Sequence, residues 1–190
     1  MTSEWPALAR EISVCRACAD LCTTRQRVVV GDPPPAVPAR LVFLGEAPGA
    51  QEDAAGRPFV GRAGRLLDQL LSDAGMSRAE VGVLNVIKCR PPDNRRPTPA
   101  EVAQCRPFLE RQLALLRPRL VVALGLTAVA WFLGRRTTLA AARGTVHEVD
   151  GYRVIATYHP SAAIRFGPAG APMAALREDL DFAARTLAHA

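Results

Sequence analysis

The chain has 190 residues, 49% of them hydrophobic, which is the composition of a folded protein with one core and excludes a disordered chain. Its net charge is +6, and its 24 basic residues, almost all arginine, suit contacts with phosphate groups without establishing them. No apolar run approaches the length of about 18 residues that a membrane span needs, and the first residues do not resemble a secretory signal, so we expect a cytoplasmic protein.

Short apolar runs alternate with helical patterns along the chain. In chain order, the patterns predict a helix over 7–22, a proline-rich connector over 31–40, a strand over 41–45, a helix over 65–75, a strand over 81–89, a helix over 98–116, a strand over 120–125, a short helix over 126–134, a hairpin around Asp150-Gly151 and a helix over 172–187. This alternation predicts one domain over residues 1–190, an α/β fold with a mostly parallel central sheet.

Three segments with polar chemistry follow predicted strands. They are the loop "EAPGAQEDAAGRPFVGRAG" after Gly45, Asn85 near the end of the second strand, and "HPS" after Tyr158. Ligands of open α/β sheets bind at the carboxyl ends of the strands, so we expect a ligand site there. The loop lacks the Lys-Ser/Thr of a P-loop and the G-x-G-x-x-G of a dinucleotide site, which argues against a phosphate cradle.

The five cysteines have spacings that are typical of metal binding. Cys15 and Cys18 form a C-x2-C pair, and Cys89 and Cys105 flank an Arg- and Pro-rich loop of fifteen residues. Four thiolates can bind zinc or an iron–sulfur cluster, and the loose second pair favours the larger cluster. Two unrelated pairs of buried thiols remain an alternative. We interpret Cys22 as a small buried hydrophobic residue.

The loop after Gly45, "NVIKCRPP" and "YHPS", together with the four spaced cysteines, resemble the family 4 uracil-DNA glycosylases, the iron–sulfur members of the uracil-DNA glycosylase superfamily. The resemblance covers nearly the whole chain from Cys15 to the final helix. It implies a three-layer α/β/α fold with a four-stranded, mainly parallel sheet. It also implies a [4Fe-4S] cluster on Cys15, Cys18, Cys89 and Cys105, and hydrolytic excision of uracil from DNA.

The resemblance also implies roles in a uracil pocket. Phe59 would stack on the flipped base, Asn85 would read its Watson–Crick edge and His159 would contact its O2. These roles suit the chemistry, because an aromatic ring stacks on any base, a carboxamide distinguishes uracil from cytosine, and a donor at O2 stabilises the leaving anion. We interpret His147 and His189 as structural or solvated.

The group that activates water is less clear from the sequence. Family 1 enzymes carry Asp where Ala47 stands and a bulky Tyr where Gly49 stands, so both positions are candidate pocket residues here. Glu46, Glu52 and Asp53 are the nearby acids. Of these three acidic residues we favour Glu46 as the one that activates water. We expect the segment from Glu52 to Phe59 to reject the thymine methyl group.

The resemblance places the segment from His159 to Arg165 at the minor groove of DNA. There Ser161 would bind phosphate, and Ile164 or Arg165 would fill the gap left by the flipped base. The loop arginines Arg90, Arg95 and Arg96 are further phosphate contacts, although a solvated surface loop is a nearly equal alternative. The expected partner is uracil-containing DNA, single- or double-stranded, bound by a monomer that is nucleoid-associated when on DNA.

Three alternatives stay open. A related protein traps uracil-DNA covalently through the His of a Lys-Arg-Arg-Ile-His insert, but no His occurs between Asp93 and Glu101 here, which favours turnover. A non-catalytic nucleic-acid-binding module would not need Phe59, Asn85 and His159 together at strand ends. Zinc in place of the iron–sulfur cluster is the third alternative.

Overall fold

The structure, a computed structural model, describes residues 4–189. Its five strands form one sheet in the order β2-β1-β3-β5-β4. Four of them run parallel, and β4 pairs antiparallel with β5. The strands are β1 (Val42–Gly45), β2 (Gly82–Asn85), β3 (Val121–Leu124), β4 (Val146–Val149) and β5 (Tyr152–Thr157). The α/β class is confirmed, and the predicted four-stranded parallel sheet gains one antiparallel edge strand.

Nine α-helices flank the sheet within residues 4–189, together with two short 3-10 turns at 78–80 and 92–94. The helices are α1 (Glu4–Ser13), α2 (Ala19–Thr24), α3 (Ala50–Ala55), α4 (Arg62–Asp73), α5 (Pro99–Leu116), α6 (Leu126–Leu133), α7 (Leu139–Ala142), α8 (Pro160–Phe166) and α9 (Ala171–Ala188). None of the described helices combines the length and the apolar composition that crossing a bilayer requires.

Side chains alternate between two apolar layers along each central strand, as the two-residue period of a strand requires. Val42 and Leu44 of β1 pack with residues of α1, α2, α5, α6 and α7 on one face. Phe43 packs with α4, α8 and α9 on the other face. The sheet is therefore buried on both sides, which explains why its strands read as continuous apolar runs.

The predicted helix over 7–22 is wrong, because the chain forms two helices there with a break at 14–18. The backbone leaves α1 after Ser13, and Cys18 is the extended residue before α2. The C-x2-C pair thus lies in the connecting segment, where two neighbouring thiols can face one point. A single helix would place side chains three residues apart on one face but would fix their spacing.

Local signals placed several elements correctly. Thr98 caps α5 by accepting from the Glu101 backbone N–H, and the Glu101 side chain accepts from the Thr98 N–H. Asp150 and Gly151 take φ values of +48° and +82°, as a two-residue hairpin turn requires. This turn returns β4 beside β5, which makes β4 the fifth strand.

Candidate active site

A cavity of about 550 Å³ opens at the carboxyl ends of the parallel strands. Each of the four parallel strands contributes to its wall, since Glu46 follows β1, Asn85 ends β2, Gly125 follows β3 and His159 follows β5. The sequence-predicted residues on this wall are Glu46, Ala47, Gly49, Glu52, Phe59, Asn85, Arg95, Arg96, His159, Ser161 and Arg165. Segments distant in sequence thus meet in one place, as predicted for an open α/β sheet.

Phe59 is held rigidly although it lies in a loop. Its backbone has a φ of +53°, and its side chain is only 6% exposed. Arg78 donates from Nη2 to the Pro58 carbonyl at 3.0 Å, which fixes the preceding residue. On the helix side, a Cβ at Gly64 would overlap the Phe59 carbonyl, so only glycine lets α4 approach this closely.

Gly45 lies beneath both Phe59 and Asn85. A Cβ at this position would lie 2.7 Å from the Phe59 ring and 2.5 Å from the Asn85 Oδ1. Gly45 therefore makes room for the ring and the amide to lie side by side against the end of β1.

Gly45→Ala is expected to lower the free energy of unfolding by about 1–3 kcal/mol, because a methyl group in this tight space must displace the ring or the amide. Urea denaturation of the wild type and the variant measures the loss. The same substitution in a Phe59→Leu background should cost less, since the ring that it meets is gone. Equal losses in both backgrounds would show that Phe59 does not confine this position.

Asn85 is nearly inaccessible, with 2% of its surface exposed. Its Oδ1 is buried and has no hydrogen-bond partner within residues 4–189. Below it, the buried Lys88 donates from Nζ to the Asn85 carbonyl at 2.7 Å, which holds the end of the strand. A buried acceptor without a donor costs about 1–3 kcal/mol, so a ligand N–H that reaches Oδ1 would recover that cost.

His159 caps the N-terminus of α8, and this contact fixes its tautomer. The Ser161 backbone N–H donates to Nδ1 at 3.2 Å, and the Ser161 Oγ lies 2.8 Å from the same atom. Because Nδ1 accepts, the proton of the neutral ring resides on Nε2. The ring centroid lies 5.5 Å from that of Phe59, so the aromatic face and the N–H donor border the same space.

Burial lowers the pKa of His159 to about 4. The ring is therefore neutral near pH 7 and donates from Nε2 without carrying a charge. The folded pKa lies below the ordinary value, so as the pH falls from about 6.5 toward 4 the unfolded chain binds a proton first. His159 consequently makes folding less favourable across that window.

NMR titration of the histidine rings should give a midpoint near pH 4 for His159. The His159→Gln variant identifies its resonance by loss. A midpoint near 6.5 would mean that the ring is solvated in the native state and does not face a water-poor cavity.

The three acids near the cavity have different surroundings. Glu52 accepts from the backbone N–H groups of Gly49, Val60 and Gly61, so it braces the loop. Asp53 is fully buried and accepts from the backbone N–H groups of residues 26 and 27. Glu46 instead accepts from the Thr127 hydroxyl and has Arg96 Nε at 3.9 Å. Of the three acids, Glu46 alone borders the cavity and accepts from no backbone N–H within residues 4–189.

The four arginines predicted to contact DNA have three different surroundings. Arg96 and Arg165 line the cavity with exposed guanidinium groups, as a contact to phosphate requires. Arg95 also lines it but forms a bidentate ion pair with Glu101, at 2.7 and 2.9 Å, so part of its charge is used within the protein. Arg90 lies outside the cavity wall and donates to Asn94.

The four cysteines of the predicted cluster line a second, small cavity beside β2: Cys15, Cys18, Cys89 and Cys105. Arg25 donates from Nη1 to the Cys89 Sγ at 3.0 Å. Burial raises the pKa values of Cys18 and Cys89 to about 11, and the Arg25 charge opposes that rise at Cys89. Within the described residues no three His, Cys, Asp or Glu side chains are close enough to hold a single ion. Cys22 is half-buried and does not line this cavity.

Two positioning residues escaped the sequence analysis. Lys88, the chain's single lysine, is 1% exposed and lies between Asn85 and Cys89. The signal that could have identified Lys88 is its charge inside an otherwise apolar run, because a buried charge needs a specific hydrogen-bond partner. Arg25 carries no such signal, because nothing in the sequence distinguishes it from the other arginines.

Comparison with known proteins agrees with this geometry. Residues 34–181 match the family described as "Uracil DNA glycosylase superfamily". A type-4 uracil-DNA glycosylase of Thermotoga maritima is 44% identical over 160 residues, covering 83% of this chain and 82% of that protein. One from Archaeoglobus fulgidus is 44% identical over 167 residues, covering 83% and 81%. A third, from Pyrobaculum aerophilum, is 46% identical over 133 residues, covering 66% and 68%.

Proposed function

The chain belongs to the uracil-DNA glycosylase superfamily, and from that premise we propose that it is a type-4 enzyme that excises uracil from DNA. It hydrolyses the N-glycosidic bond and leaves an abasic site. The observation that carries the proposal is the convergence of Phe59, Asn85 and a neutral His159 on one cavity at the strand ends. A non-catalytic binding module has no need of that combination.

Recognition of uracil combines stacking with hydrogen bonding. A base flipped out of the helix enters the cavity and stacks on Phe59, which contributes about 1–3 kcal/mol but does not distinguish the pyrimidines. The Asn85 amide then accepts from uracil N3–H and donates to O4. Cytosine presents an acceptor at N3 and a donor at the 4-amino group, so it meets the amide with both contacts reversed.

Bond cleavage separates a uracil anion from a sugar with cationic character. Negative charge grows on the uracil O2 as the C–N bond breaks, and the His159 Nε2–H donates to it. The neutral ring can fill this role, because the proton that it keeps on Nε2 is the one that faces the developing charge. Water adds to the sugar carbon, and its proton passes to solvent or to the departing base.

Glu46 orients the attacking water in this scheme. Its carboxylate borders the cavity, and Thr127 fixes its direction. Ala47 and Gly49 are small, so the backbone next to Glu46 can approach the base closely. Glu52 shapes the loop through its three backbone contacts, and it does not act on the water.

The four cysteines would hold a [4Fe-4S] cluster. The donor set fits, since four sulfurs line one cavity and Arg25 supplies positive charge beside Cys89. A bound cluster would brace the N-terminal segment against α5 and the 90–98 loop. Iron and sulfide analysis with visible absorbance separates the cluster from zinc.

DNA would lie across the cavity mouth, with its phosphates at Ser161, Arg165 and Arg96. The apolar side chain best placed at that edge is Phe166, which is 65% exposed beside Arg165, whereas Ile164 is half-buried. Phe166 is therefore a better candidate than Ile164 for filling the gap of the flipped base. In this scheme the chain acts as a single-domain, cytoplasmic monomer on single- or double-stranded DNA.

The test is alkali-cleavable product from uracil opposite guanine, uracil opposite adenine and single-stranded uracil, with a thymine oligonucleotide as the control. Cleavage of the uracil substrates alone is expected. No product from pure holo-protein on any of the three would overturn the proposal. A protein–DNA band that survives a denaturing gel would replace it with covalent trapping.

A further inference from the structure

A groove of about 340 Å³ lies beside the uracil cavity, on the far side of Arg96. Arg96 and Leu126 line both, so the two spaces are neighbours on the surface. The groove lies between the start of α5 and α6, and it extends to the turn that follows α6. Nothing in the proposed excision chemistry uses it.

Its wall combines positive charge with flat surfaces. Arg96, Arg106 and Arg135 line it, and no Asp or Glu does among the described residues. Pro97 and Pro99 supply apolar surface. The guanidinium of Arg106 lies over the Trp131 ring, 5.0 Å from its centroid, and also contacts Glu110 at 3.3 Å. A cationic wall with an aromatic ring is the combination that binds single-stranded nucleic acid.

Two groups in the groove have no partner within residues 4–189. Arg135 is exposed and makes no side-chain hydrogen bond or ion pair in that range. The Trp131 Nε1 is shielded from solvent and has no acceptor. A phosphate oxygen is an acceptor for the exposed Arg135 guanidinium, so a nucleotide in the groove has the chemistry to satisfy that side chain.

We propose that this groove binds an unpaired nucleotide of the substrate strand that flanks the uracil. The inference rests on the proposed function, because the occupant is the strand whose uracil fills the neighbouring cavity. Arg135 binds a phosphate of that strand, and Trp131 and the prolines contact the base. The groove binds single-stranded DNA, because the bases of a duplex are paired and stacked and are not free to enter it.

The test compares two charge reversals that are adjacent in sequence. Arg135→Glu removes a groove residue, and Arg136→Glu makes the same charge change at an exposed residue that does not line the groove. Each variant is assayed on a single-stranded 15-mer with a central uracil and on a trimer too short to reach the groove. Binding of the same 15-mer with thymine in place of uracil is measured by anisotropy, which needs no turnover.

Arg135→Glu should lower kcat/KM for the 15-mer about tenfold through KM, with kcat unchanged and the trimer unaffected. For the thymine 15-mer, the slope of log affinity against log salt should also become shallower, by about the amount that one phosphate contact contributes. Arg136→Glu should change kcat/KM for the 15-mer and kcat/KM for the trimer by the same factor. Identical behaviour of the two variants on the 15-mer would overturn the inference.

Trp131 supplies a second readout. In a Trp5→Phe variant it is the remaining tryptophan, and its emission should be quenched by the 15-mer but not by the trimer. Unchanged emission at saturating 15-mer would also overturn the inference. If the wild type cleaves nothing yet binding still depends on Arg135, the proposed function fails and the groove stands. If the wild type cleaves normally and Arg135→Glu has no effect, the proposed function stands and the inference about the groove fails.

Discussion

Replacing His159 by alanine is expected to lower kcat for uracil excision by about 10²–10³-fold, the effect of removing one donor from an oxyanion site. The Nε2–H is the donor placed to meet the charge that grows on O2. The other ring nitrogen, Nδ1, already accepts a hydrogen bond from the Ser161 backbone N–H. The loss should fall on kcat rather than KM, because the contact strengthens as the bond breaks. Single-turnover kinetics with a uracil 15-mer measures it.

The matched control is Ser161→Ala. It removes the hydroxyl at 2.8 Å from Nδ1 but keeps the backbone N–H that sets the tautomer, so its effect on kcat should be far smaller. Glutamine at 159 tests the donor directly, since its amide N–H reaches a similar place and should restore part of the rate. An alanine variant with nearly wild-type kcat would remove His159 from the mechanism.

Asn85→Asp is expected to lower kcat/KM for uracil by at least about 10²-fold. An ionised carboxylate accepts but does not donate, so it repels the uracil O4 that the amide would bind. A site built around a specific hydrogen bond discriminates strongly when that bond is lost, because the groups left behind stay buried without partners. Excision assays on uracil and cytosine oligonucleotides measure both the loss and any change of preference.

Asn85→Ala separates the loss of the amide's hydrogen bonds from the repulsion that an added negative charge causes. It removes the contacts without adding charge, so its kcat/KM should lie between those of the wild type and Asn85→Asp. The alanine variant should also unfold at a similar or higher urea concentration, since it removes a buried acceptor that has no partner in the free protein. Equal activity of all three proteins would show that the amide does not read the base.

The uracil cavity could be predicted because its parts are independent local signals at strand ends. Phe59, Asn85 and His159 each follow or end an apolar run, and parallel topology brings such ends to one edge. Their detailed geometry could not be predicted. The tautomer of His159 depends on a backbone N–H two residues away, and the position of Phe59 depends on two glycines that approach it from opposite sides.

The N-terminal segment shows where sequence reasoning failed. The apolar spacing of Leu8 and Ile12 does mark a helix, and both residues are buried in α1. The same spacing continues to Cys15 if cysteine is taken as apolar, although this residue lies in the break between α1 and α2. Arg25 donates to the Cys15 carbonyl at 2.8 Å and also to the Cys89 Sγ, so it ties the break to a distant part of the chain, and these contacts have no local signature.

Lys88 has a consequence for how this protein can change over evolutionary time. It lies within the five-residue stretch from Asn85, the residue proposed to read the base, to Cys89, a proposed ligand of the cluster. One inserted or deleted residue in this stretch would move Cys89 relative to Asn85 and would displace the Lys88 contact that holds the Asn85 carbonyl. A change of length between Asn85 and Cys89 would therefore disturb two cavities together, the one at the strand ends and the cysteine-lined one beside β2.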